Sequence, residues 1–173
     1  MERITSERFY EAYKILDSAF IPEELKTYPR LFEEMIYGGV EIFAEYDGEN
    51  MVGVITCWEF EDFVFIENFA VLEACRGKGI GKKMMQEIIS RYKKSIILEV
   101  EKPENEFQKR RIAFYENLGF SLTDYSYMQP PLRDNPSDVL LYIMYRSESD
   151  KIAKTDFGDT KAQIFRRVYG INA

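Results

Sequence analysis

Residues 71–102 read VLEACRGKGIGKKMMQEIISRYKKSIILEVEK, with glycines at 77, 79 and 81. Glycine loses more backbone entropy on folding than any other residue and fills no core, so such close repetition needs a reason. The apolar run Phe69-Ala70-Val71 comes before it. Met84, Ile88 and Ile89 follow at helical spacing, and SIILEVE (95–101) then reads as a buried strand. The stretch is a strand–loop–helix–strand crossover with its glycines at the entry to the helix. A helix N-terminus presents unpaired N–H groups and the positive end of its dipole, and glycine removes the Cβ atoms that would keep an anion away. Arg76, Lys78, Lys82 and Lys83 add positive charge there. Residues 76–94 carry seven basic side chains against one acid, Glu87, although Arg91, Lys93 and Lys94 read equally well as a solvated helix face. A glycine-rich turn without a ligand is the plain alternative.

On the N-terminal side, MERI is a short first strand and SERFYEAYKILDSAF an amphipathic helix. Ser6 is its expected cap, and Phe9, Ala12, Tyr13, Leu16 and Phe20 form one stripe. IPEELKTYPRLFEEMIYGG is a second helix, interrupted or restarted at Pro29 and closed by Gly38-Gly39. VEIFAEY, DGEN and MVGVITCWEF read as strand, tight turn and strand, and DFVFIENFAV as the strand that enters the glycine loop. Beyond the crossover, NEFQKRRIAFYENLGF is a helix stopped at Gly119. SLTDYSYM and DVLLYIMYR are late strands around the loop QPPLRDNPSD, and GDTKAQIFRRVYG is a short helix between Asp159 and Gly170. The expected fold class is α+β, a mixed and mainly antiparallel central sheet with helices on both faces. One domain spans 1–173, with its core in about 1–146 and an extension over 147–173.

The chain of 173 residues, 46% hydrophobic and 31% charged, has the make-up of a globular domain long enough to bury a core. A net charge of −7 argues against generic nucleic-acid binding, which draws on a basic surface. No apolar run approaches the roughly 20 residues of a membrane helix. The N-terminus lacks a basic region followed by an apolar one, so neither a membrane span nor a secretory signal is expected. Two cysteines outside any CxxC pair, Cys57 and Cys75, suit a reducing cytoplasm. The absence of histidine removes histidine-based triads and, with only two cysteines, the usual zinc sites.

Two phosphate-binding motifs fail at the glycine loop. A Walker A loop counted back from Gly81-Lys82 has Arg76 at its first glycine and Lys83 at its magnesium-binding hydroxyl. A dinucleotide fingerprint begun at Gly77 finds Lys82 at its third glycine. No hydroxyl or carboxylate stands ready for magnesium, which points to a pyrophosphate held by backbone amides without a metal. FAVLEACRGKGIGKKMM resembles instead the acetyl-CoA signature of the GNAT superfamily of N-acetyltransferases, R/Q-x-x-G-x-G/A, with Arg76, Gly79 and Gly81 in its positions. RRIAFYENLGF is similar to the family's second signature, a helix that carries a tyrosine and ends in LGF. The matching segments run from about residue 40 to 146.

That resemblance implies a sheet splayed in the middle by a bulge, acetyl-CoA as cosubstrate, and no metal. It places the CoA pyrophosphate on the amides of Gly77, Lys78, Gly79, Ile80, Gly81 and Lys82, beside Arg76. The pantetheine arm would run along Phe69, Ala70 and Val71 as an added strand. Gln108 stands where many members have a cofactor-contacting asparagine, and keeps an amide there. Transfer to an amine needs a neutral amine, a polarised thioester carbonyl and a proton for the thiolate. An alkylammonium, with a pKa of about 10, must first lose a proton. Glu67, nine residues before Arg76, stands where similar enzymes acting on small amines have their base, with Glu99 and Glu101 as rivals on the next strand. A carboxylate that solvates the strand or pairs with a lysine is the bland alternative. Tyr115, four residues before Gly119, matches the family's general acid, and the amide of Val71 its oxyanion donor.

By the same resemblance, the first two helices and the loop before the last strand build the acceptor pocket. Those segments hold Tyr28, Phe32, Tyr37, Tyr125 and Tyr127 with Glu23, Glu24, Glu33 and Glu34, a surface suited to a cationic amine. The expected activity is acetyl transfer from acetyl-CoA to a primary amine by direct attack in a ternary complex. A small amine, polyamine or amino-acid-like acceptor is favoured over a protein N-terminus or lysine. The competing reading is a non-catalytic CoA-binding domain of the same fold, against which Glu67 and Tyr115 both speak. In the extension, Ile164, Phe165, Val168 and Tyr169 share one helical face, which docks either on its own domain or on a second subunit of a homodimer.

Overall fold

The computed structural model describes residues 1–134, 139–147 and 157–171. Seven strands form one sheet in the order β1-β2-β3-β4-β5-β7-β6. They are β1 Glu2–Arg3, β2 Val40–Asp47, β3 Asn50–Glu59, β4 Phe63–Val71, β5 Ser95–Glu101, β6 Ser121–Met128 and β7 Leu140–Arg146. Every adjacent pair is antiparallel except β4–β5. That pair is joined by α3 (Ile80–Tyr92), the crossover helix that a parallel connection requires. The α+β expectation holds, hairpin included: Asp47 pairs with Asn50 around a turn whose Gly48 has φ +62°.

Alternation along the strands sends side chains to two apolar layers. On one face α1 (Phe9–Ala19), α2 (Tyr28–Glu33) and the C-terminal α5 (Phe157–Ile164) cover Val54, Trp58, Phe65, Ile97 and Ile143. On the other, α3 and α4 (Glu106–Glu116) cover Ile55, Cys57, Val64, Ile66, Ile96 and Leu98 with Met84, Met85, Ile88 and Ile112.

One local reading needs correction, and the restart at Pro29 and the stop at Gly38-Gly39 gain detail. Ser6 does not cap α1: it opens a short 3-10 turn, Ser6–Arg8, and no side chain caps that turn or the helix. The second helix begins only at Tyr28, with Pro29 in its first turn where a missing N–H costs nothing; a separate 3-10 turn spans Pro22–Glu24. After Glu33 the helix widens into one π turn, Glu34–Gly38, and Gly39 ends it at φ +86°. Of the loop QPPLRDNPSD, residues 135–138 lie outside the described residues, as do 148–156 and 172–173 of the C-terminal extension.

The extension docks on its own chain. A π turn, Phe165–Tyr169, continues α5, and Ile164 and Val168 are fully buried in the layer of α1 and α2. The Arg30 guanidinium holds the turn by donating to the carbonyls of Leu132, Val168 and Tyr169.

Candidate active site

The β3–β4 register pairs Thr56 with Asn68 but Cys57 with Ile66, so Glu67 is the extra residue of a β-bulge. The bulge turns two successive side chains to one face. Trp58 Nε1 donates to Glu67 Oε2 at 2.7 Å, the Thr56 hydroxyl donates to Asn68 Oδ1 at 3.2 Å, and Thr56 and Trp58 are alternate residues of β3. The parallel β4–β5 ladder stops at the same place. It pairs Phe63–Ile66 with Ser95–Leu98 and goes no further, although β4 continues to Val71 and β5 to Glu101. The sheet therefore opens into a fork, with Glu67 on one prong and Glu99 on the other, each next after the last paired residue.

The glycine loop borders the β4 prong. Gly77 and Gly79 have φ of +75° and +79°, and a Cβ built on either meets nothing within 4 Å, so the loop offers open backbone. Gly81 serves packing instead: its Cβ would come within 3.3 Å of Phe69 Cζ. The first bond of α3 runs from the Lys83 N–H to the Gly79 carbonyl, which leaves the N–H groups of residues 80–82 with no carbonyl behind them. An anion such as a pyrophosphate fits this cradle. Lys78 and Lys82 are exposed beside it. Arg76 instead bends back so that Nε donates to the Val71 carbonyl at 3.0 Å, and Lys83 turns to Glu45.

Tyr115 lies in the layer of α3 and α4, against Phe114 and Phe120, and among the described residues nothing hydrogen-bonds its hydroxyl. Burial pushes the phenol up to about 12, opposed by the nearby Arg111 cation. Gln108 is engaged elsewhere. Its side chain accepts from the N–H groups of Glu104 and Asn105 and donates to Glu101, completing a capping box with Asn105 at the start of α4. Arg111 also reaches Glu101, at 3.4 Å.

Glu67 and Glu99 differ sharply in their partners. Glu67 Oε1 pairs with the Lys26 ammonium at 2.9 Å, and Lys26 also binds Glu34 Oε2 at 2.6 Å and lies over the Trp58 ring. Among the described residues, the partners of Glu99 are phenols: Tyr127 donates to Oε1, and Tyr169, from the C-terminal turn, donates to Oε2 at 2.6 Å. Burial pushes the Glu99 carboxyl up to about 7; the two phenols and Lys26 pull it down, and Glu67 pushes it further up. At the mouth, burial and the neighbouring Glu101 raise the carboxyl of Glu24 too.

Sequence reasoning had Tyr127 among the pocket aromatics, but it missed Lys26, Trp58 and Tyr169 as site residues. Nothing local marks them, since each acts through a contact made across the fold. Of the other expected aromatics, Tyr28 and Phe32 pack around Phe9, Tyr125 stacks on Phe157, and Tyr37 points into solvent.

A family model of the GNAT acetyltransferases matches residues 9–120, well over half of the chain. The chain belongs to the GNAT family of acetyltransferases. Among solved structures it is similar to a Bacteroides thetaiotaomicron protein assigned to the GNAT family, with 32% identity, 98% of each chain covered and a TM-score of 0.88. The ribosomal-protein-S18-alanine N-acetyltransferase of Escherichia coli shares the fold at 20% identity and TM-score 0.67, over 86% of this chain and 92% of that one. An aminoglycoside 6'-N-acetyltransferase in complex with coenzyme A does so at 16% identity and TM-score 0.62, over 86% and 96%. No curated protein matches by sequence search. Among the described residues, no helix of this acetyltransferase is long and apolar enough to cross a membrane.

Proposed function

We propose that this GNAT acetyltransferase moves the acetyl group of acetyl-CoA to a primary amine by direct attack, and that the fork between β4 and β5 is where the two substrates meet. The observation that carries this reading is the end of the β4–β5 ladder at the Glu67 bulge. It joins the two faces of the sheet, with the carboxylates and the C-terminal turn on one side and Tyr115 and the glycine loop on the other. The amides of residues 77–82 bind the pyrophosphate, with Lys78 and Lys82 adding charge. The backbone of Phe69, Ala70 and Val71 lines the pantetheine path, and the Val71 N–H polarises the carbonyl. Arg76 braces the turn through the Val71 carbonyl, and Gln108 acts through the cap of α4 rather than through the cofactor.

On the acceptor side Glu24, Glu67, Glu99 and Glu101 gather negative charge around the fork, which favours a cationic small-molecule amine. The aminoglycoside and ribosomal-alanine enzymes of the same fold act on amines of two kinds, and the acidic rim speaks for the small one. The acidic fork draws in the ammonium, and a carboxylate of the fork relieves it of a proton. Tyr115 holds its proton through the neutral range, and full transfer to a thiolate of ordinary basicity, pKa about 8.5, is uphill by roughly three to four powers of ten. Its part is therefore to donate a hydrogen bond to the sulfur as charge builds there.

Thiol release from acetyl-CoA, followed with spermidine, tyramine, kanamycin and an alanine-initiated peptide, tests the reading. Turnover with at least one small amine is expected, and Tyr115→Phe should lower it tenfold or more while acetyl-CoA still binds. Unchanged turnover removes Tyr115 from the chemistry. Binding of acetyl-CoA without release for any amine would instead fit a CoA-binding module.

A further inference from the structure

We propose that the two fork carboxylates divide the work: Glu99, held by Tyr127 and by Tyr169 of the C-terminal turn, accepts the proton of the incoming amine, while Glu67 stays an ion-paired anchor. The C-terminal extension thereby belongs to the catalytic site, although it lies beyond the span of the family match. The inference rests on the acetyl-transfer reading.

Both oxygens of Glu67 are taken, one by the Lys26 ammonium at 2.9 Å and one by Trp58 Nε1 at 2.7 Å. With the Lys26 ammonium on one oxygen and the Trp58 N–H on the other, and Lys26 tied in turn to Glu34, Glu67 is fixed within an ion-paired cluster. Glu99 has the opposite setting. It is only partly exposed, and among the described residues no cation touches it and its hydrogen bonds come from two neutral phenols. Those phenols are themselves driven well above their ordinary range by burial and by the Glu99 charge, so they remain donors. Two carboxylates with such different partners, one bound to a cation and one to phenols, are suited to divided roles, and an acceptor works best when its pKa lies near ambient pH.

Among the described residues, the groups that face Glu99 are few. They are Glu67 from β4, Lys26 from the segment before α2, Tyr127 from β6 and Tyr169 from the C-terminal turn, with Lys161 of α5 over the Tyr127 ring at 5.6 Å. Protons balance over the cycle. The ammonium gives its first proton to the Glu99 carboxylate, from which it passes to water. The freed lone pair forms the C–N bond as the C–S bond breaks, and the second amine proton ends on the departing sulfur beside the Tyr115 hydroxyl. Tyr127 and Tyr169 are positioning residues, since they act through Glu99.

The test combines a titration and a pH profile. In protein labelled with [5-13C]glutamate, with the Glu99 signal assigned from the Gln variant, Glu99 should titrate near pH 7. Tyr169→Phe removes a donor to the carboxylate and keeps the carboxylate itself, so it should move the Glu99 midpoint to higher pH. With the fastest amine of the panel, wild-type kcat/KM should rise with pH to a plateau above about 7. Glu99→Gln should lower kcat at least tenfold and abolish that limb, whereas Glu67→Gln should keep it. A Glu99 midpoint in the ordinary glutamate range, or a Glu99→Gln variant that keeps the limb while the wild type turns over, overturns the inference alone. A wild type that transfers to no amine overturns the acetyl-transfer reading, and this one with it.

Discussion

Lys26 is 1% exposed between Glu34 and Glu67, with its ammonium 4.8 Å from the centre of the Trp58 ring. A buried charge is tolerated when paired, and removing one member strands the others. Lys26→Met should leave two carboxylates facing each other and cost about 3 kcal/mol or more by urea unfolding. A loss below about 1 kcal/mol would show that this ion pair does not hold α2 against the sheet. The sequence reading did weigh a lysine partner for Glu67 against a catalytic role. It had no means of choosing, because Lys26 belongs to another element and no local pattern couples the two. The bulge that presents Glu67 is equally silent locally: it is a register shift against β3, and only the pairing of Cys57 with Ile66 exposes it.

The entry to α3 was the most legible element, because its requirements are local. Positive φ at Gly77 and Gly79 demands glycine whatever the rest of the chain does. Gly79→Ala adds about 1–2 kcal/mol of left-handed strain at the cap and a methyl group on the open backbone where the pyrophosphate is proposed to sit. The expected outcome is at least a tenfold loss of acetyl-CoA affinity by calorimetric titration, with the protein still folded. Unchanged affinity would return the loop to a plain structural turn. In α4 the same kind of local logic was present but read otherwise. Asn105-x-x-Gln108 is a capping-box pattern, and the structure uses Gln108 for that cap. The resemblance drew attention to the amide's chemistry, while its place three residues after the cap decided its geometry.

For the molecule as a whole, the telling feature is the C-terminal extension. Its amphipathic face was plain from the spacing of Ile164, Phe165, Val168 and Tyr169, but spacing does not say what covers such a face. In the fold all four are buried against their own chain, and Arg167 donates to the Glu59 carbonyl while its guanidinium lies over Phe60. Cutting the chain after Arg146 removes these side chains, each worth about 1.5–3 kcal/mol of burial as an upper estimate, and should lower Tm by on the order of 10 °C. Calorimetry of the shortened chain checks this, and an unchanged Tm would mean that the extension does not hold the domain together.

The sequence by itself determined the order of elements, the class of the sheet, the glycine-lined helix entry and the family. Each of these depends on short-range periodicity, glycine conformations and motif spacing, which the chain encodes residue by residue. Tertiary structure alone decided which carboxylate carries which partner. Glu67 meets Lys26 and Trp58, and Glu99 meets Tyr127 and Tyr169, through contacts from segments far apart in the chain. Proton affinity in a buried site is set by the charges and dipoles that surround it in space, and those neighbours exist only once the sheet, the bulge and the C-terminal turn have come together.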